Sequence, residues 1–142
     1  EVVGGGLWQP ITRFLRRAGI VLLVDSFIVV MAYALAFGLR FSRGMDAAFP
    51  FFLGLRDGII AIVFVHLTLN AALGAYVRRW PRVRAATALR FGAAAAAAGL
   101  ALTVGEVLLG PVRAIPLSVL GMGAIFSCAG FLGLRHVRTG ER

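Results

Sequence analysis

The chain has 142 residues, of which 60% are hydrophobic and 15% are charged, and its formal net charge is +9. Soluble domains are about half apolar and about a quarter charged, so this composition is typical of a membrane protein and excludes an ordinary soluble monomer. The charge arises from 15 basic residues, all of them arginine, against 6 acidic residues.

Motifs that carry common chemistries are missing from the sequence. The single cysteine, Cys128, excludes an intrachain disulfide, and no CxxC or HExxH spacing is present for zinc. The sequence has no GxGxxG or GxxxxGK[ST] nucleotide motif and no G-x-S-x-G elbow. The arginines flank apolar runs instead of alternating with aromatic residues, which argues against nucleic-acid binding. We therefore predict no catalytic, cofactor-binding or metal-binding residue, no cofactor and no nucleic-acid partner.

Four apolar runs are long enough to cross a bilayer, which requires about 20 residues in a helix. They cover approximately residues 18–39, 58–76, 91–109 and 115–134, and the FPFFLGL stretch before residue 58 can lengthen the second run. Because lipid offers no partner for free backbone groups, these runs should be helices. We predict an all-α membrane protein, with residues 1–142 forming one transmembrane domain folded as a compact four-helix bundle.

The arginines are distributed unevenly around these runs. Eleven lie on one side of the membrane, before the first run, between the second and third, and after the fourth: Arg13, Arg16, Arg17, Arg78, Arg79, Arg82, Arg84, Arg90, Arg135, Arg138 and Arg142. Four lie on the other side: Arg40, Arg43, Arg56 and Arg113. The positive-inside rule therefore predicts that both termini are cytoplasmic.

The first run contains an acidic residue, Asp25, about 10 Å from its start. A carboxylate inside a bilayer costs a few kcal/mol or more, so a partner or a proton is expected there. One hypothesis makes Asp25 the proton or cation site of a small exporter. The hypothesis that we favour makes it a structural acid, paired with an arginine such as Arg17 or Arg90 or capped by a hydroxyl group.

Two further groups of polar residues lie within the runs. His66 and Asn70 are four residues apart and share one face of the second helix, where they form either part of a ligand pocket or, as we favour, an interhelical hydrogen bond. Glu106 lies near the outer end of the third run, where Arg56 or Arg113 is a candidate partner.

Small residues recur at a spacing of four, a pattern that lets helices approach closely. The pairs are Ala34/Gly38, Ala95/Gly99, Gly123/Ser127 and Ala129/Gly133. This spacing favours a compact bundle and is compatible with a homo-oligomer.

The loop after the second run has the most distinctive composition. Residues 76–84 read Tyr-Val-Arg-Arg-Trp-Pro-Arg-Val-Arg. Tyrosine and tryptophan favour the membrane interface, and arginine binds phosphate in a bidentate manner. The candidate residues for contact with membrane lipids, either an anionic lipid or a polyprenyl phosphate, are Arg78, Arg79, Trp80, Arg82 and Arg84. A purely topological role, or docking of a cytoplasmic catalytic domain, would also explain this loop.

Three segments resemble one known family. Residues 22–41 place an acid early in the first helix and Leu-Arg-Phe at its end. Residues 70–92 resemble a Gly-x-Tyr-x-Arg-x-Trp stretch with altered spacing, matched by Gly74, Tyr76, Arg79 and Trp80, and residues 111–138 form a final helix that ends in basic residues. Together they are similar to the N-terminal four-helix membrane region of bacterial polysaccharide-biosynthesis proteins, the membrane-anchored nucleotide-sugar 4,6-dehydratases of the epimerase/dehydratase group.

The resemblance implies a non-catalytic anchor in the bacterial inner membrane, with the chemistry in NAD-binding domains that this chain lacks. The chain begins at Glu1 and not at Met, and it stops a few residues after the fourth run; we therefore expect a fragment of a longer protein. The related membrane region of polyprenyl-phosphate sugar-1-phosphate transferases is an alternative. A small four-helix transporter or a lipid-linked sugar flippase is another, although the Asn-Arg-x-Trp pattern of glucosyl-lipid flippases is not found here.

Overall fold

The computed structural model describes residues 8–42, 44, 48–74, 76, 85–108 and 114–140, with side chains described from residue 19 onward except at 85, 87 and 137–140. Four α-helices account for nearly all of this part: α1 is Trp8–Phe41, α2 is Phe49–Ala72, α3 is Ala85–Leu108 and α4 is Leu117–Gly140. Each helix contains a segment long and apolar enough to cross a membrane. The predicted all-α fold with four transmembrane helices is thus confirmed, and the chain is a multi-pass membrane protein by this criterion.

Local sequence signals explain where α2 begins and ends. The helix begins at Phe49, at the start of the FPFFLGL stretch that was expected to lengthen the run before residue 58. Pro50 lies in its first turn, where a missing N–H costs nothing. It ends at Ala72 and not at Tyr76, because Gly74 adopts a left-handed conformation with φ 72°. The backbone N–H of Leu73 donates to Leu69 O at 3.0 Å and that of Gly74 to Ala71 O at 3.0 Å, which closes the helix.

The helices form an up-and-down bundle that closes on itself. Each helix packs against the next along the chain, and α4 packs against α1 in the most extensive contact of the bundle. The start of α1, the end of α2, the start of α3 and the end of α4 therefore lie at one end, which we call the Asp25 end. At the opposite end, aromatic pairs join α1 to α2, with ring centroids 6.1 Å apart for Phe37 and Phe52 and 5.6 Å apart for Phe41 and Phe51.

Glycines allow α4 to lie close to its neighbours. A Cβ atom at Gly123 would lie 2.7 Å from the Tyr33 ring of α1, and one at Gly99 of α3 would lie 3.2 Å from the Ala124 methyl group. Of the predicted small-residue pairs, Ala95/Gly99 and Gly123/Ser127 lie at such helix contacts. The pairs Ala34/Gly38 and Ala129/Gly133 lie on the outer surface.

The distribution of polarity is the reverse of that in a soluble bundle. Large apolar side chains face outward, among them Leu23, Phe27, Ile60, Phe64, Leu100 and Ile125. Among the side chains that the structure describes, the buried polar or charged ones lie between the helices: Asp25, His66, Asn70 and Ser127. This arrangement suits a lipid environment, in which apolar side chains gain nothing from burial inside the protein and polar side chains require protein partners.

Candidate functional site

An ion pair joins the first and last helices at the Asp25 end. Arg135 Nη2 of α4 lies 3.3 Å from Asp25 Oδ2 of α1, and the Asp25 side chain is only 2% exposed. Arg135 Nη1 also donates to the carbonyl oxygen of Phe131, one turn earlier in α4, at 3.3 Å. These distances are longer than the 2.7–2.9 Å that is usual for charge-assisted bonds. The pair nevertheless supplies the counter-charge that an acid at this depth requires.

Two phenylalanine rings enclose the guanidinium of Arg135. Its Cζ atom lies 4.2 Å from the centre of the Phe91 ring of α3 and 5.9 Å from that of Phe131. The two rings contact each other, with centroids 5.7 Å apart. A cation over an aromatic face is stabilised by roughly 1–2 kcal/mol when water is excluded. Arg135 therefore links α1, α3 and α4 through one side chain.

The remaining helix, α2, contributes Asn70 to the same end of the bundle. Asn70 is 1% exposed near the end of α2, and its Nδ2 atom has no hydrogen-bond partner among the described residues. The left-handed turn at Gly74 is followed by Tyr76, whose hydroxyl oxygen is likewise buried and lies beside the side chains of Asp25 and Asn70. Burial raises the pKa of Tyr76 above its ordinary value, and the nearby Asp25 carboxylate raises it further. The hydroxyl group is therefore a neutral donor.

A second polar contact lies deeper in the bundle. Tyr33 Oη and His66 Nε2 are 3.1 Å apart, and the same hydroxyl group lies 3.5 Å from the carbonyl oxygen of Leu120. If the tyrosine proton is directed at Leu120, His66 carries its proton on Nε2 and donates to the hydroxyl oxygen. Tyr33 lies two turns after Asp25 on α1, and His66 lies one turn before Asn70 on α2. Both polar contacts thus lie along the buried side of α1.

Glu106 lies at the end of the bundle opposite to the Asp25 end. Its Oε2 atom accepts hydrogen bonds from the backbone N–H groups of Ala114 at 3.1 Å and Ile115 at 3.3 Å, just before α4 begins. The suggested partner Arg56 instead forms an ion pair with its neighbour Asp57 at 2.8 Å. The other suggested partner, Arg113, lies outside the described residues. Glu106 therefore satisfies backbone donors at the entrance to α4.

An apolar groove of about 660 Å³ runs along the outer side of the seam between α3 and α4. Small residues form much of it, including Ala95, Ala96 and Gly99 from α3 and Gly121, Ala124 and Cys128 from α4. The only cysteine of the chain therefore lies in this groove. Within the described residues, no three His, Cys, Asp or Glu side chains come together to hold a metal ion.

The structure brings together only some of the residues that the sequence singled out. Asp25 and Asn70 meet at the Asp25 end, His66 lies one turn deeper, and Glu106 lies at the opposite end. The lipid-binding candidates lie outside the described residues: Arg78, Arg79, Trp80, Arg82 and Arg84.

Arg135 forms an ion pair with Asp25, although it is 110 residues away along the chain. The sequence suggested Arg17 or Arg90 for this role, and the side chain of Arg17 lies outside the described residues. Tyr33, Phe91 and Arg135 carry most of the contacts and were not identified from the sequence. The position of Tyr33, two turns after Asp25, could have indicated that it shares the buried side of α1. No comparable pattern in a single sequence indicates which residues of α1 and α4 are in contact.

Comparison of the chain with protein-family models, with curated proteins and with solved structures finds no match in any of the three. The function of the bundle is therefore inferred from its residues and their geometry.

Proposed function

We propose that the chain is a non-catalytic membrane anchor and assembly domain of a bacterial glycan-biosynthesis enzyme of the nucleotide-sugar dehydratase type. In this role it holds a cytoplasmic enzyme close to lipid-linked sugar assembly, where the gain is effective concentration at the membrane and not chemistry. The resemblance of residues 22–41, 70–92 and 111–138 to that family supplies the enzyme class.

The observation that carries the proposal is that all three acids within the membrane spans have partners in the protein, Asp57 being paired with its neighbour Arg56. Asp25 pairs with Arg135, and Glu106 accepts two backbone N–H groups. An exporter that couples to protons or cations through an acid needs a carboxylate that can exchange its ligand during transport. A carboxylate held by a guanidinium that is itself packed on two rings is better suited to fixing helix positions.

The arginine distribution supports the side of the membrane on which an attached enzyme would lie. The Asp25 end is the end at which α4 terminates, and most arginines of the sequence flank this end. The positive-inside rule favours the cytoplasm for this end, and an attached catalytic domain would have access to nucleotide-sugars there. Association with lipid headgroups through the arginine-rich loop at residues 77–84 is part of the same proposal.

The α3–α4 groove supports a role in assembly. A shallow surface lined by small residues allows a second helix to approach closely, which is how transmembrane helices associate in lipid. Self-association through this groove would bring several attached enzymes together.

The coding sequence that follows Arg142 tests the proposal directly. We expect it to encode a dinucleotide-binding domain with a glycine-rich G-x-G-x-x-G turn after a strand, and a catalytic Tyr-x-x-x-Lys. A stop codon directly after Arg142 would overturn the anchor proposal. A domain that lacks this fingerprint and resembles a phosphosugar transferase would replace the dehydratase assignment.

Transport by the purified chain separates the anchor from a carrier. In liposomes with an imposed proton gradient, the anchor proposal expects no proton flux above that of protein-free vesicles. A flux that is lost in Asp25→Asn would contradict the proposal and identify an exporter. Circular dichroism of the variant in the same liposomes checks that the helices are retained.

A further inference from the structure

The first helix extends farther from the bundle than the other three described helices at the Asp25 end. At about 1.5 Å per residue, α1 continues about 25 Å beyond Asp25 to its first residue, Trp8. Beyond Arg135, the partner of Asp25, α4 continues only about 8 Å, and α3 begins about 9 Å before Phe91, which contacts Arg135. α2 ends already at Ala72. Roughly the first two turns of α1 therefore lie past the ends of the other described helices.

The positions in this extension are segregated by polarity around the helix axis. At 3.6 residues per turn, apolar residues occupy one face: Trp8, Ile11, Phe14, Leu15 and Ala18. Polar residues occupy the opposite face: Gln9, Arg13, Arg16 and Arg17. A helix that is surrounded by water on all sides gains nothing from such a segregation. The pattern indicates that the apolar face is covered by another surface.

The apolar face continues the face of α1 that is buried inside the bundle. Between Asp25 and Ala36, the buried residues of α1 are Asp25, Val29, Ala32, Tyr33 and Ala36. At about 100° per residue, their mean direction differs by only about 20° from that of the apolar positions in residues 8–18. Leu22 lies on the same face between the two sets and is 41% exposed. The cover that the bundle gives to this face therefore ends near Leu22.

The direction of the face restricts what can cover it. Because it continues the buried face, it points toward the axis of the bundle and over the bundle's own end, away from the surrounding lipid. A second copy in the same membrane would hold its own α1 about one bundle width away. The chain that leaves α4 at Gly140 emerges beside α1, because the two helices are packed together and packed helix axes are about 8–10 Å apart.

We propose that the apolar face of residues 8–18 is a docking site for the cytoplasmic domain that follows α4. The domain supplies an apolar groove into which this part of α1 packs, which is a common way of recognising an amphipathic helix. The inference rests on the proposed function, because it requires a domain after Arg142. Docking fixes the domain above the end of the bundle, where a tether through α4 alone would leave it free to turn. The arginine face points outward, toward the phosphates of the surrounding lipids.

Photocross-linking of the full-length protein tests the docking. The photoreactive residue p-benzoylphenylalanine replaces Ile11 or Leu15 on the apolar face and, as the matched control, Arg13 or Arg16 on the opposite face. After irradiation of bacterial cells, mass spectrometry of the digested protein identifies the peptide that is joined to residues 8–18. At the apolar positions we expect a product that migrates as a monomer and joins these residues to the domain after Arg142. We expect this product to be lost at the two arginine positions.

Several results of this measurement would overturn the docking site. Cross-links to lipid, to a second copy or to another part of residues 1–142 would each assign the face to a different occupant. Equal yields at the apolar and the arginine positions would show that the domain selects neither face.

A variant of the apolar face provides an independent readout. Ile11→Ser combined with Leu15→Ser should raise the rate of protease cleavage directly after α4 by about tenfold or more, because the contact loses two buried aliphatic side chains. Arg13→Ser combined with Arg16→Ser also places two serines in this part of α1 and should leave the rate unchanged. An unchanged rate in the Ile11/Leu15 variant, with its helices retained by circular dichroism, would contradict the docking.

The outcomes distinguish this inference from the proposed function. A stop codon directly after Arg142 would overturn both. A following domain that gives no cross-link specific to the apolar face would overturn the docking alone. A domain of another class that is joined to Ile11 and Leu15 would support the docking and replace the dehydratase assignment.

Discussion

Asp25 and Arg135 are 110 residues apart along the chain, yet their side chains form an ion pair at 3.3 Å. The pair closes the bundle by joining α1 to α4. Its contribution to the stability of the bundle depends on the cost of leaving either charge unpaired. An unpaired carboxylate buried between the helices is far costlier than an apolar side chain of the same volume.

Removal of the cation should therefore be more harmful than removal of both charges. We expect Arg135→Met to lower the free energy of unfolding by about 3 kcal/mol or more, because Asp25 is left buried without a counter-charge. The double variant Asp25→Leu/Arg135→Met should lose less than Arg135→Met alone. Denaturant titration in mixed micelles measures both, and Arg40→Met, at an exposed position, serves as the control. Equal losses in the single and double variants would show that the pairing contributes nothing.

The close approach of α4 to α1 at Gly123 should not tolerate a methyl group. A Cβ atom there would lie 2.7 Å from the Tyr33 ring, so Gly123→Ala should lower the free energy of unfolding by about 1–3 kcal/mol. Gly133→Ala on the same helix is the matched control, because no atom lies within 4 Å of its Cβ position. Thermal unfolding of the two variants in the same detergent makes the comparison. Similar melting temperatures would mean that Tyr33 can move aside without loss.

Glu106 should matter for the start of α4 and not for charge balance. Glu106→Ala leaves the N–H groups of Ala114 and Ile115 without their acceptor, and we expect a loss of about 1–2 kcal/mol. Glu106→Gln retains a carbonyl oxygen and should recover part of that loss. Hydrogen exchange at the first turn of α4 is the measurement that locates the effect. Unchanged exchange in Glu106→Ala would exclude the capping role.

The orientation of the bundle is a prediction from arginine placement. In a Cys128→Ser background, Ser42→Cys should react with a membrane-impermeant maleimide added to intact bacterial cells, because the turn after α1 is predicted to be outside. Thr139→Cys should react only after the cells are lysed. The reverse pattern would place the termini outside and would remove the cytoplasmic attachment on which the anchor proposal depends.

The location of Cys128 in the α3–α4 groove permits a test of self-association. If copies pack groove to groove, oxidation by copper phenanthroline in bilayers should yield a disulfide-linked dimer. In the control, Cys128→Ser is combined with Ala61→Cys, which moves the thiol to an exposed position on α2. Dimers that form equally well from both proteins would indicate random collision and not a specific interface.

The four spans could be predicted from the sequence because lipid leaves the backbone of a long apolar run no alternative to a helix. The ends of α2 were less predictable, since hydropathy does not register the proline in its first turn or the left-handed glycine after its last. The depth of Asp25 was also predictable, and its need for a partner followed from the cost of a bare carboxylate in lipid. The choice of Arg135 was not, because several arginines flank the same end and only the rotation of each helix decides which one reaches the acid.

The α1–α4 contact also has a consequence for biosynthesis. α1 leaves the ribosome first, and it carries a carboxylate whose counter-charge is synthesised 110 residues later. Until α4 has entered the membrane, Asp25 must hold a proton or remain in contact with water or the insertion machinery. A chain truncated before α4 therefore lacks the arginine that pairs with the acid in its first span.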